Sequence, residues 1–357
     1  MTTSAGTPHT RQVFYVGGQY TTVQAGAHVF KDQMYIEQLT PLNGSTKPYP
    51  LVFFHGSGQT GVNWLTTPDD RPGWTSYFLA HGFECYVVDI PARGRSPWLL
   101  GTSFNLSDWT QASAEMIQQR FTAPENYKLW PSATLHTQWP SGFGKGVMGD
   151  PIFDAYFATT ATGMTEPVQQ QTVVQAAGAA LLDRIGKPVI IVGHSEGGKA
   201  PWVIADTRPE LVKKIVALEP SGPPFQNSII LDGKPARAYG LTDIPLAYDP
   251  PVTNPAIDLV KVRVAASEGQ EDCLLQADEP PPRQLVNLKK IKTALLTAEA
   301  SYHTLHDWCT VKYLKQAGVD VEAIELAKIG IKGNGHMFML EKNSDDIAEV
   351  VRRWIEE

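Results

Sequence analysis

Lys187-Pro188-Val189-Ile190-Ile191-Val192-Gly193-His194-Ser195-Glu196-Gly197 is the stretch whose reading decides the fold. The run up to Val192 is short, apolar and β-branched, which reads as a buried parallel strand. The Gly-x-Ser-x-Gly behind it has the spacing of a nucleophile elbow. Glycines two residues either side of Ser195 let strand and helix approach closely, so the serine can hold a strained turn with its hydroxyl exposed above the sheet edge. Gly198 to Ile204 then suit a helix start whose positive end faces the same spot. A glycine-rich turn that merely contains a serine would look the same, so the reading depends on its company.

The first companion lies upstream. Leu51-Val52-Phe53-Phe54 reads as another apolar strand, followed at once by His55-Gly56-Ser57-Gly58-Gln59-Thr60-Gly61. Acyl transfer needs backbone N–H donors aimed at the oxygen that becomes negative in the tetrahedral intermediate. One donor would be the N–H after the nucleophile, that of Glu196. The other would come from this loop, at Ser57 or, as the near alternative, Gly58. The second companion lies downstream, where Gly333-Asn334-Gly335-His336 follows the strand-like Val321 to Leu326 and precedes a closing amphipathic helix over Asp345 to Ile355. A late histidine in a glycine-lined loop is placed to serve as the base of Ser195.

Strand-like and helix-like stretches alternate along the chain. Val13–Val16, His28–Phe30 and Met34–Leu39 read as early strands on an antiparallel edge, Cys85–Asp89, Lys214–Leu218 and Ile291–Thr297 as inner strands. Helices are expected near Trp74–Ala80, Val168–Ile185, Ala200–Asp206 and Leu305–Ala317. This alternation means an α/β fold, a mostly parallel sheet covered on both faces. In such sheets working residues gather at the carboxyl ends of strands, where Ser57, Ser195, Glu219, Glu299 and His336 all fall.

The chain has 357 residues and a net charge of −7, enough for one large domain with insertions. We expect a single α/β domain over 1–357. No basic tract offers a phosphate footprint, which excludes nucleic acid as an expected partner. No apolar run approaches the roughly 18 residues of a membrane span, and the N-terminus shows no apolar leader core. Cys85, Cys273 and Cys309 are odd in number and widely spread, which reads as free thiols in a cytoplasmic protein. Two long insertions, about 97–165 and 221–288, are rich in aromatics and proline and are expected to form a cap. Some of their rings, among them Trp98, Phe104, Trp109, Phe121, Trp130 and Trp139, would either line an apolar pocket or simply pack the cap. Gly142 to Gly146 lacks the spacing of a phosphate loop. His303, His306 and Asp307 read more simply as a surface cluster at a helix start than as metal ligands.

With these motifs in order, the chain resembles the α/β-hydrolase superfamily. More narrowly it is similar to the group of bacterial and fungal serine esterases related to the Alcaligenes esterase. The resemblance spans roughly residues 50–355. It is carried by the 55–61 loop, Asp89 through Ser96, the Ser195 elbow, Leu218-Glu219-Pro220-Ser221-Gly222, Glu299-Ala300-Ser301-Tyr302-His303 and Gly333 to His336. It implies a serine hydrolase without metal or cofactor, with Ser195 as nucleophile and His336 as base. From the residues alone, Glu219 and Glu299 are both carboxylates at the sheet edge and either could be the acid. The resemblance implies Glu219, which leaves Glu299 as the alternative, with a structural role near the His336 loop. The expected substrate is a small, apolar or aromatic carboxylic ester or lactone. Amide, thioester or carbon–carbon cleavage by the same triad, a non-catalytic ligand-binding protein on this fold, and a homodimer are the other readings left open.

Overall fold

The computed structural model describes residues 6–97 and 112–357; Trp98, Phe104 and Trp109 of the first insertion lie outside them. The main sheet has eight strands: β1 (His9–Gln24), β2 (Ala27–Pro41), β3 (Leu51–Phe54), β4 (Cys85–Asp89), β5 (Val189–His194), β6 (Val212–Leu218) and two late ones. Between β6 and these, the second insertion holds four short strands, β7 (Tyr248–Asp249), β8 (Lys261–Val264), β9 (Cys273–Gln276) and β10 (Gln284–Leu285). The late strands are β11 (Lys292–Thr297) and β12 (Val321–Glu325), and the order across the sheet is β1-β2-β4-β3-β5-β6-β11-β12. From β4 to β12 all pairings are parallel, while β1 and β2 form the antiparallel edge.

β3, β4 and β5 are buried at every residue, so their sequences show no alternation. Both faces are covered, and successive side chains enter opposite cores. Val52, Phe54, Val88 and Ile191 join one apolar cluster with Leu181, Val203 and Leu314, from helices Pro167–Ile185, Ala200–Thr207 and Asp307–Gln316. Leu51, Phe53, Val87 and Ile190 join the other with Trp74, Phe78, Ile347 and Trp354, from helices Trp74–Ala80 and Ser344–Glu356. The expected early strands proved to be parts of two long ones, paired from His9–Pro41 to Gln24–Ala27. β1 is exposed along most of its length and β2 is buried mainly over Met34–Leu39, so apolar patterning marked only parts of each strand.

The cysteine reading needs correction. Cys273 in β9 and Cys309 in the 307–316 helix form a disulfide across 36 residues of sequence, and only Cys85 is a free, buried thiol. Spacing that long carries no pairing signal, and the pairing arises only because the cap packs back on that helix. In the chain-entropy model a loop of this length gives about 4 kcal/mol. Cys273→Ser with Cys309→Ser is therefore expected to lose about 3–4 kcal/mol of unfolding free energy in urea titrations. An unchanged midpoint would show that the bond does not restrain the unfolded chain. Among the described residues, no helix is long and apolar enough to cross a membrane.

Candidate active site

Ser195 follows β5 directly and has φ +55°, a left-handed conformation that costs a non-glycine residue free energy. Two glycines make the turn possible. A Cβ on Gly193 would lie 2.7 Å from the Gly197 carbonyl, and one on Gly197 would collide with the His55 carbonyl. The loop after Phe54 and the elbow can therefore sit backbone against backbone. Ser195 lines a cavity of about 580 Å³ together with Ser57, Gly58 and Glu196. Its hydroxyl has no hydrogen-bond partner among the described residues. Contacts of this kind tighten when substrate binds.

His336 lies immediately behind the cavity wall. Its ring packs against those of Phe121, Tyr302 and His303, which line the cavity, at 5.1, 5.2 and 4.9 Å between centroids. The His194 ring, next to the serine, lies 4.5 Å away, and its Nε2 donates to the His336 carbonyl at 3.0 Å. His336 Nδ1 meets Glu219 Oε2 at 2.5 Å. Glu219 is fully buried just beyond β6 with φ +45°, and also accepts from Ala298 N–H (2.8 Å) and Ser301 O–H (2.7 Å). Burial pushes the Glu219 carboxyl well up and draws His336 down to about 3, the neighbouring Asp307 carboxylate opposing the latter. The two donors on Glu219 oppose its shift and favour the carboxylate. At neutral pH His336 is thus a neutral imidazole, its Nδ1 hydrogen-bonded to the buried Glu219 carboxyl.

Glu299 is placed differently. It does not reach His336; its Oε2 accepts the Gly333 N–H at 2.8 Å and so fastens the start of the His336 loop. The end of that loop is held by Glu341, which takes the N–H of Gly335 (3.0 Å) and the amide of Asn334 (2.7 Å). Glu341 in turn meets His136 Nε2 at 2.8 Å, and Glu125 meets His136 Nδ1 at 2.6 Å, all three buried. Burial alone would lower the pKa of His136, but Glu341 and the two hydrogen bonds outweigh it and raise it to about 9. A raised folded pKa stabilises fully below the unfolded value near 6.5 and is lost as pH rises through about 9. The wild type is therefore expected to lose of order 3 kcal/mol between about pH 6.5 and 9.5 that His136→Gln does not lose. Urea melts across that range test this, and equal slopes in both proteins would remove His136 as the cause.

His303, His306 and Asp307 correct another expectation, since they are buried at 1, 1 and 3 % exposure rather than at the surface. The expected helix start at Leu305 is a separate short turn over Tyr302–Leu305, and the helix proper begins at Asp307. Ser301, whose hydroxyl donates to Glu219, and Tyr302, which lines the cavity, draw the turn inward. His303 Nδ1 meets Asp307 Oδ1 at 2.8 Å, and the His303 ring lies parallel to that of His336. Ligand-capable atoms of His303, His306 and Asp307 lie within 4.8 Å of one another, as do those of Glu219, His303 and His336. The second set is already engaged in the Glu219–His336 pair.

Arg93 lies in the turn after β4, within the Asp89–Ser96 stretch, and nothing local in the sequence gives it a role. Buried, it forms an ion pair with Glu196 at 2.7 Å and donates to the Gly56 carbonyl at 3.3 Å. Its guanidinium bridges the two loops, and burial is outweighed by its charge in holding the Glu196 carboxyl near 2. Of the cap rings, Phe121 lines the cavity, whereas Trp139, Phe153 and Tyr156 are core and Trp130 packs on Tyr302. The cavity is not uniformly apolar: Arg120, Lys199 and Arg237 share its wall with Met116, Ile117 and Leu231.

A family model described as alpha/beta hydrolase family matches residues 51–350, and the chain belongs to that family. A protein of Fungal sp. (strain ATCC 74256), named probable secreted lipase phiG, is 46% identical over 345 residues, covering 96% of this chain and 88% of the relative. A solved structure described as that of a novel bacterial esterase superposes with a TM-score of 0.63 at 21% identity, over 100% of this chain and 98% of that one. The last likeness bears on the fold. The expectation of a cytoplasmic protein is overturned by the relative, which is named as secreted, and the Cys273–Cys309 disulfide agrees with an oxidising compartment.

Proposed function

We propose that this protein is a serine hydrolase that cleaves a small-molecule carboxylic ester or lactone through an acyl-enzyme on Ser195. The coarser part, a carboxylic ester hydrolase, rests on the family match and the lipase-named relative. The observation that carries the mechanism is the buried Glu219–His336 hydrogen bond beside an elbow serine that lines a cavity. Ser195 Oγ attacks the carbonyl carbon while His336 Nε2 takes its proton, and Glu219 stabilises the imidazolium that results. His336 then protonates the leaving alcohol. Water, deprotonated by His336, attacks the acyl-enzyme and releases the acid and the free serine.

The negative oxygen of each tetrahedral intermediate is assigned to the N–H groups of Ser57 and Glu196. Arg93 supports this pairing in two ways. The Gly56 carbonyl and the Ser57 N–H belong to one peptide unit, so a cation on the carbonyl orients and polarises the N–H on the other side. The same guanidinium holds the Glu196 side chain, keeping the second donor in register. Action outside the cytoplasm is part of the proposal, on the strength of the disulfide and of the relative's name. A fluorophosphonate probe tests the reading: it should label folded protein at Ser195 and stop ester turnover in proportion. Turnover that survives complete labelling would refute it.

A further inference from the structure

Resting on the serine-esterase reading, we infer that the substrate carries a free carboxylate in addition to the ester it loses, and that Lys199 anchors that carboxylate, with Arg120 on the wall of the same cavity. Lys199 ends the short turn Ser195–Lys199 that begins at the nucleophile, and it lines the cavity. Its ammonium has no hydrogen bond and no ion pair among the described residues. Arg120 spends one nitrogen on the Ile230 carbonyl (2.9 Å), while its Nε is buried without a partner. Leaving Arg120 Nε unpaired away from water costs free energy that a ligand acceptor would recover, and the Lys199 ammonium stands on the same cavity wall without a counter-ion in hydrogen-bond reach among the described residues.

Among the described residues, the other charges of the cavity wall are already committed. Glu196 is taken by Arg93. Asp243 accepts the Arg237 N–H at 2.7 Å and the Gln171 amide at 2.6 Å. The Arg237 guanidinium is satisfied by the carbonyls of Pro223 and Gln226 and by Asn227. Among the described residues, what the wall leaves over is cationic, in a molecule whose net charge is −7. Burial draws the Lys199 pKa down against the pull of Glu196, so a carboxylate arriving beside it would restore its charged form. An ester that is apolar throughout would instead bury both cations with nothing to meet them.

Matched probe pairs test this. On the acyl side, mono-p-nitrophenyl glutarate is compared with p-nitrophenyl pentanoate; on the alcohol side, 4-carboxyphenyl butyrate with 4-carbamoylphenyl butyrate. In at least one pair the wild type should favour the carboxylate by about tenfold or more in kcat/KM, and Lys199→Met should cut that ratio by at least about tenfold. Added salt should raise KM for the favoured carboxylate and not for its neutral partner, a readout that needs no variant. No carboxylate preference in either pair overturns the inference, as does a preference that Lys199→Met leaves intact. If no probe turns over and the fluorophosphonate fails to label Ser195, the hydrolase reading falls and this inference with it.

Discussion

Ser195→Ala is expected to lower kcat toward ester substrates by roughly five to six powers of ten, the scale seen when a triad nucleophile is removed. The size follows from what remains. Without the hydroxyl there is no acyl-enzyme, and only oxyanion donors and substrate orientation are left to assist attack by water, worth about 10³–10⁴ over the uncatalysed reaction. Stability should not change with it. The Ser195 hydroxyl has no hydrogen bond to lose among the described residues, and alanine meets the same backbone strain at φ +55° that serine meets. The measurement is single-turnover kinetics beside a thermal melt and fluorophosphonate labelling. Turnover within tenfold of wild type, with the melt unchanged, would place the nucleophile elsewhere.

Features that depend on neighbours in sequence were the readable ones. The Ser195 elbow, the loop after Phe54 and the His336 loop are each strand-then-glycine patterns of a few residues, and each proved to sit at the sheet edge. Strand β4 falls on the expected residues, Cys85–Asp89, because an uninterrupted apolar run between a turn and Pro91 leaves little latitude. Features that arise from packing were not readable. Nothing local distinguishes His303, His306 and Asp307 from a solvated helix start; Ser301, bonded to Glu219, turns that segment inward. The Cys273–Cys309 pairing depends on how the cap folds back. Arg93 and Lys199 are ordinary loop and helix-start cations in sequence, and acquire meaning only from the loops that Arg93 bridges and the partners that Lys199 lacks.

The choice between two acids is the sharpest case, and it yields the second large effect. Glu219→Gln is expected to lower kcat by on the order of a thousandfold or more, while Glu299→Gln should change it only by about threefold. An amide at position 219 keeps the shape and can keep the acceptor for Ala298, but the edge facing His336 Nδ1 then offers a donor. The imidazole must answer with Nδ1 as acceptor and its proton on Nε2, the tautomer that cannot take a proton from serine. Asp307 is not free to substitute, since its oxygens already meet His303 and Thr297 at 2.8 Å each. At position 299 the task is only to accept the Gly333 N–H, and a glutamine carbonyl does that as well as a carboxylate does. Circular dichroism and melting temperature establish that both variants fold, and kcat is then compared at saturating ester. Should Glu299→Gln prove the more damaging of the two, the bond at His336 Nδ1 would not be the one that supports the base, and the acid of the triad would have to be Glu299.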